Sequence, residues 1–164
     1  KMFFVTIIGL LFVFSLSAQN SLDNFLGSWK VVKHSFDTPI PNSILTVNIV
    51  QTGKDVKLEQ LWKNDDTKAE WSKISLFKNN IQTRLISGSP GRIEKSEIRI
   101  LSSLKLTITT NTENILNSRD ETIKEIWTIS ADGKTLTVSR NLSSYDKNGS
   151  HSSGYYSETV YSKL

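Results

Sequence analysis

Along the chain, apolar and polar side chains alternate in short runs, and turn-forming clusters separate the runs roughly every 10–12 residues. The runs at 28–36, 44–50, 55–62, 71–77, 81–87, 97–101, 104–109, 123–130, 135–140 and 155–162 are rich in β-branched and aromatic residues, and each predicts a strand. QTGK, KNN, GSPG, ADGK and YDKNGSHSSG lie between them, and their Gly and Asn residues accept the positive φ of tight turns. No longer segment repeats its apolar residues at helical spacing. The one short helical piece is SLDNFL (21–26), whose Leu22, Phe25 and Leu26 are placed to close one end of a core.

Side chains alternate across a strand, so each run has an inner and an outer face. Leu45, Val47 and Ile49 share a face, as do Val56, Leu58, Gln60 and Trp62. Ile98 pairs in phase with Ile100, Leu104 with Leu106 and Ile108, and Leu136 with Val138. A set of about ten strands, each apolar on one side, hides that side and removes its edges by rolling into a cylinder. The predicted fold class is therefore all-β: an antiparallel up-and-down β-barrel of about 8–10 strands, with room inside for side chains and one small ligand. A two-sheet sandwich is the structural alternative.

The first eighteen residues are of a different material. Lys1 is followed by an apolar run from Met2 to Phe14 and then by Ser15, Ser17 and Ala18, the layout of a secretory signal peptide cut after Ala18 or Ser17. The run is shorter than the roughly 20 residues that cross a bilayer as a helix, so no stable membrane span is expected after cleavage. An uncleaved anchor is the alternative. The expected organisation is a leader at 1–18, a barrel domain at 19–164, and a secreted or periplasmic destination. The chain has no cysteine, so the domain is held by core burial without disulfides. The formal charge is +4, and removing Lys1 leaves +3 (4 − 1). These charges are spread along the chain, with no clustered basic stretch of the kind that binds nucleic acid.

Gly27-Ser28-Trp29 sits at the entry to the first long strand, after SLDNFL. Glycine permits a sharp turn into the strand, and the indole is large enough to plug the closed end of a barrel. In these residues the chain resembles the lipocalin-like (calycin) proteins, whose first strand opens with Gly-x-Trp after a short helical turn. The order PIPNSILTVNIVQTGKDVKL (39–58), ADGKTLTVSR (131–140) and ETVYSKL (158–164) resembles small secreted bacterial proteins of that kind. The resemblance implies a barrel that holds a ligand, and structural roles for Gly27 and Trp29. It also implies an Arg packed over the Trp, for which Arg140 is the candidate. The chain departs from true lipocalins in lacking a Thr-Asp-Tyr type motif, so receptor and retinoid-type roles are not carried over.

Strand parity also yields polar candidates. Glu125 lies in phase with Ile123, Trp127 and Ile129, and Arg140 in phase with Leu136 and Val138, on two strands that ADGK joins as a hairpin. An inward charge is costly unless paired, so one reading places Glu125 and Arg140 at or near the lumen, bonded to each other or with Arg140 over Trp29. The alternative places both at solvated strand ends. Gln60 and Thr83 are inward polar candidates that could orient a ligand, or bond only to backbone and water. Of the four tryptophans, Trp29 is read as structural, Trp62 as an aromatic at a pocket rim, and Trp127 as part of the same binding set.

Motifs for chemistry are sparse. His34 and His151 are the two histidines, far apart and without a companion ligand cluster, so no metal is expected. Asp65-Asp66 and Asp146 with Asn148 lack the acidic spacing of a calcium loop. There is no Gly-x-Ser-x-Gly, no His-Glu-x-x-His and no Gly-rich phosphate loop, and no cofactor is called for. Glu59, Glu70, Glu125 and Glu158 sit on strands, with nothing to bring two of them together. The expected function is a non-catalytic binding protein for a small apolar or amphipathic ligand. The alternative is a barrel filled by its own side chains that acts through its loops.

Overall fold

A computed structural model describes residues 22–35, 43–85, 91–114, 119–146 and 148–164. The leader expected at 1–18, the Pro-containing link at 39–42 and most of the SGSPG segment lie outside the described residues. A 3₁₀ turn, Leu22–Phe25, leads into ten strands. These are β1 (Gly27–His34), β2 (Ser43–Thr52), β3 (Asp55–Asn64), β4 (Glu70–Phe77), β5 (Ile81–Leu85), β6 (Arg92–Ser102), β7 (Lys105–Asn114), β8 (Arg119–Ile129), β9 (Thr135–Asp146) and β10 (His151–Lys163). All ladders are antiparallel, in the order β4-β3-β2-β1-β10-β9-β8-β7-β6-β5. The chain is thus an up-and-down meander rolled into a nearly closed barrel, as the alternation predicts. Strands β6, β9 and β10 run well past the bounds read from sequence, because their polar outer halves still pair.

Closure is completed at one end by a single tight turn. β4 and β5 share only the Lys78↔Ile81 bridge beyond the named strands, across Asn79 and Asn80, whose φ values are 50° and 66°. Asn tolerates this left-handed backbone better than most residues. The turn is tied to both sides of the barrel. Asn80 N donates to Lys54 O at 3.0 Å, Asn79 N donates to the Asp55 carboxylate at 2.8 Å, and Ile98 N donates to Asn80 O at 2.9 Å. Away from this turn, β4 and β5 form no ladder, which leaves a slot in the wall.

The inner face changes character along the strands, and on the β3–β4 and β8–β9 ladders the change falls at matching register positions. On β3 it runs Val56 and Leu58, then Gln60 and Trp62; on the facing β4, Phe77 and Ser75, then Lys73 and Trp71. On β6 it runs Ile100 and Ile98, then Ser96, Glu94 and Arg92. On β8 and β9 the apolar set Ile129, Trp127, Leu136 and Val138 gives way to Glu125 and Arg140. One half of the interior is therefore a dry core containing Phe25, Trp29, Leu45, Leu58, Ile98, Leu106 and Leu136, all nearly inaccessible. The other half is polar.

Gly27 and Trp29 seal the dry end. Gly27 has φ 119°, a value that L side chains rarely adopt, and it turns the chain from the 3₁₀ segment into β1. Trp29 is fully buried, and its Nε1 donates to Phe25 O at 3.1 Å, closing the 3₁₀ segment over the barrel. The cation above the indole is Lys163, with Nζ 5.1 Å from the ring centre. This corrects the expectation that Arg140 packs there. Lys163 faces Trp29 directly across the β1–β10 ladder, whereas Arg140 lies nearer the middle of β9.

Candidate functional site

A cavity of about 400 Å³ occupies the polar half, beyond the layer of Leu45, Trp127 and Val138. Its wall includes Gln60 and Trp62 from β3, Trp71 and Lys73 from β4, Arg84 from β5, Glu125 from β8 and Arg140 from β9. Its volume falls in the range typical of small-molecule pockets. Trp71 and Lys73 on one side and Arg84 on the other come from the two strands that flank the wall slot, so the cavity reaches that slot. A second cavity of about 350 Å³, lined in part by Val31, Ser43, Asn64 and Ala69, shares Trp62, Trp71, Thr159 and Tyr161 with the first.

Five of the six binding residues expected from sequence line this cavity: Gln60, Trp62, Glu125, Trp127 and Arg140. Thr83 is the exception. It is exposed and stands opposite Lys95, while its neighbour Arg84 lines the wall. Alternation from Ile81 as an inward residue would put Thr83 inward too, but Ile81 is 41% exposed. The two-residue Asn79-Asn80 turn fixes the true phase. Lys78 and Ile81 both point outward, so Phe77, Ser75, Gln82 and Arg84 fall on the inner side.

Glu125 and Arg140 are direct cross-strand partners. Their contact is loose, with Arg140 Nε 3.9 Å from Glu125 Oε1. The other carboxylate oxygen, Oε2, accepts a hydrogen bond from Trp127 Nε1 at 3.3 Å. Arg140 Nε is shielded from solvent and has no hydrogen-bond partner among the described residues. A buried donor left without an acceptor costs about 1–3 kcal/mol, so the site holds unused hydrogen-bonding capacity. Arg84 is committed to Glu94 Oε2 at 2.6 Å. Lys73, opposite Gln60 on the ladder, makes no ion pair among the described residues.

The aromatic part of the wall is a stacked pair. Trp62 and Trp71 face each other across β3 and β4, with ring centres 3.6 Å apart and planes at 8°. Trp71 is 56% exposed, so the pair forms an open rim, as expected of Trp62. Tyr161 contributes a buried phenol, and its acidity is weakened: burial pushes its pKa up to about 12, while a hydrogen bond with Thr159 acts in the opposite sense.

His34 also reaches the cavity wall, where its Nδ1 lies 2.7 Å from Thr159 Oγ1. Simple alternation puts His34 on the face of Val32. A bulge between Val31 and Lys33 resets the phase, so that Trp29, Val31 and then His34 face inward while Val32 is 58% exposed. No sequence signal marks this bulge. His151 is exposed and meets Tyr145 edge to face at 5.6 Å between ring centres. Among the described residues no three His, Asp or Glu side chains converge in a metal-binding arrangement. Comparison with models of known families and with curated proteins finds no match for this chain.

Proposed function

We propose that this chain is a secreted, lipocalin-like binding protein that holds one small amphipathic molecule without altering it. The single observation that carries this reading is the cavity of about 400 Å³ at the end of the barrel away from the Trp29 seal. A barrel filled by its own side chains would have none of that size. The apolar floor at Leu45, Trp127 and Val138 and the polar wall at Gln60, Glu125 and Arg140 suit a molecule with an apolar body and a polar end. The meander topology and the Gly27-x-Trp29 entry support the lipocalin-like reading, and the leader at 1–18 supports export.

Native mass spectrometry of the protein purified from its own host tests the proposal. A discrete added mass that dissociates on collisional activation is expected. A bare polypeptide mass, with no binder found in a screen of amphipathic molecules, contradicts it.

A further inference from the structure

We infer that the molecule held in this cavity carries an anionic group, a carboxylate, sulfate or sulfonate, seated at Arg140. This rests on the binding reading above and names the ligand's chemical class. Three cationic side chains line the cavity, Lys73, Arg84 and Arg140, against one carboxylate, Glu125. Glu94 adds a second carboxylate that Arg84 already engages at 2.6 Å. The Arg92–Glu121 pair on β6 and β8, at 3.0 Å, neutralises itself. Arg92 Nε also lacks a hydrogen-bond partner among the described residues, but Arg92 does not line the cavity, so Lys73 and Arg140 remain as the cavity's cations with spare capacity. Arg140 Nε is shielded and lacks an acceptor, and Glu125 stands off at 3.9 Å while its other oxygen accepts from Trp127 Nε1.

An oxyanion entering between these groups would supply the missing acceptor through a charge-assisted hydrogen bond. It would also meet Lys73, which faces the cavity from the opposite wall at the slot. The apolar body would then lie toward Trp127 and Leu45 or along the Trp62–Trp71 rim. Glu125 has a definite place in this arrangement: it is a resident anion that competes with the ligand for Arg140.

A matched pair of fluorescent probes tests this. 1-Anilinonaphthalene-8-sulfonate and N-phenyl-1-naphthylamine share one aromatic body and differ by the sulfonate. Titration of each into the native protein, with circular dichroism as the check on folding, is expected to show the sulfonate binding at least about tenfold tighter. Arg140→Gln is expected to reduce that preference about tenfold, and Lys73→Gln to reduce it less. Glu125→Gln is expected to strengthen sulfonate binding, since it removes the competing carboxylate; a purely structural role for the pair predicts no gain. Equal binding of the two probes, or a preference unchanged in Arg140→Gln and Glu125→Gln, overturns the anionic assignment and leaves the binding reading standing. Binding of neither probe overturns both.

Discussion

Glu125 and Arg140 occupy directly opposed positions on β8 and β9, yet the carboxylate takes its hydrogen bond from Trp127 and stands 3.9 Å from Arg140 Nε. The carboxylate is thus shared between the indole N–H and the guanidinium that strand register sets opposite it. Trp127 is almost wholly buried and belongs at once to the apolar core and to the cavity floor. Replacing it with Phe keeps the core largely filled and removes the N–H. A loss of about 2 kcal/mol in chemical denaturation is expected, because the bond deleted is one to a charged group.

Trp29 has a different task. Its indole closes the dry end and returns a hydrogen bond to Phe25 O at 3.1 Å. Trp29→Ala is expected to cost about 3–5 kcal/mol in urea unfolding, the range for emptying a fully buried aromatic site. Trp29→Phe should cost less. An alanine variant within about 0.5 kcal/mol of the parent would show that the seal does not hold the barrel together.

Gly27 separates backbone from side-chain effects. A Cβ added there lies 3.6 Å from Lys163 Cε, an ordinary contact, so space is not the constraint. The constraint is φ 119°. Gly27→Ala is therefore expected to destabilise by about 1–3 kcal/mol through backbone strain, read as a shift in the denaturation midpoint with an unchanged slope.

The Tyr161 phenol gives a pH signature. Burial, aided by the nearby Glu125 charge, pushes its pKa from the ordinary 10.0 to about 12. The unfolded chain therefore loses this proton first. The resulting stability is fully present below about pH 10 and is lost as pH rises toward about 12, amounting to roughly 2–3 kcal/mol. Urea unfolding from pH 9 to pH 12 should show a steeper decline in the parent than in Tyr161→Phe. Parallel curves would place Tyr161 in water.

The barrel was legible because its strands obey one rule of alternation for most of their length. Leu45, Val47 and Ile49, or Leu106 and Ile108, declare their inner face without help from the rest of the fold. Glu125 and Arg140 were found for the same reason: ADGK ties their strands into a hairpin, so parity within each strand becomes proximity between them. Alternation misleads where something outside the strand resets the phase. The bulge at Val31/Lys33 brings His34 inward, and the Asn79-Asn80 turn brings Arg84 rather than Thr83 to the wall. Lys73 could have been reached by counting back from Phe77 through Ser75. Its charge disguises it as a solvated position, because a lysine in phase with a core is ordinarily a reason to doubt the phase. The stack of Trp62 on Trp71 is a matter of register between β3 and β4, which neither strand encodes alone.

Trp29 seals one end of the barrel, and the proposed ligand site lies at the opposite, polar end. The four tryptophans report on it directly, each with one indole N–H signal in a ¹H–¹⁵N correlation spectrum. During titration with 1-anilinonaphthalene-8-sulfonate, the signals of Trp62, Trp71 and Trp127 are expected to move together and saturate, while that of Trp29 stays in place. Movement of Trp29 with the other three fixed, or no saturable movement of any, would contradict the claim.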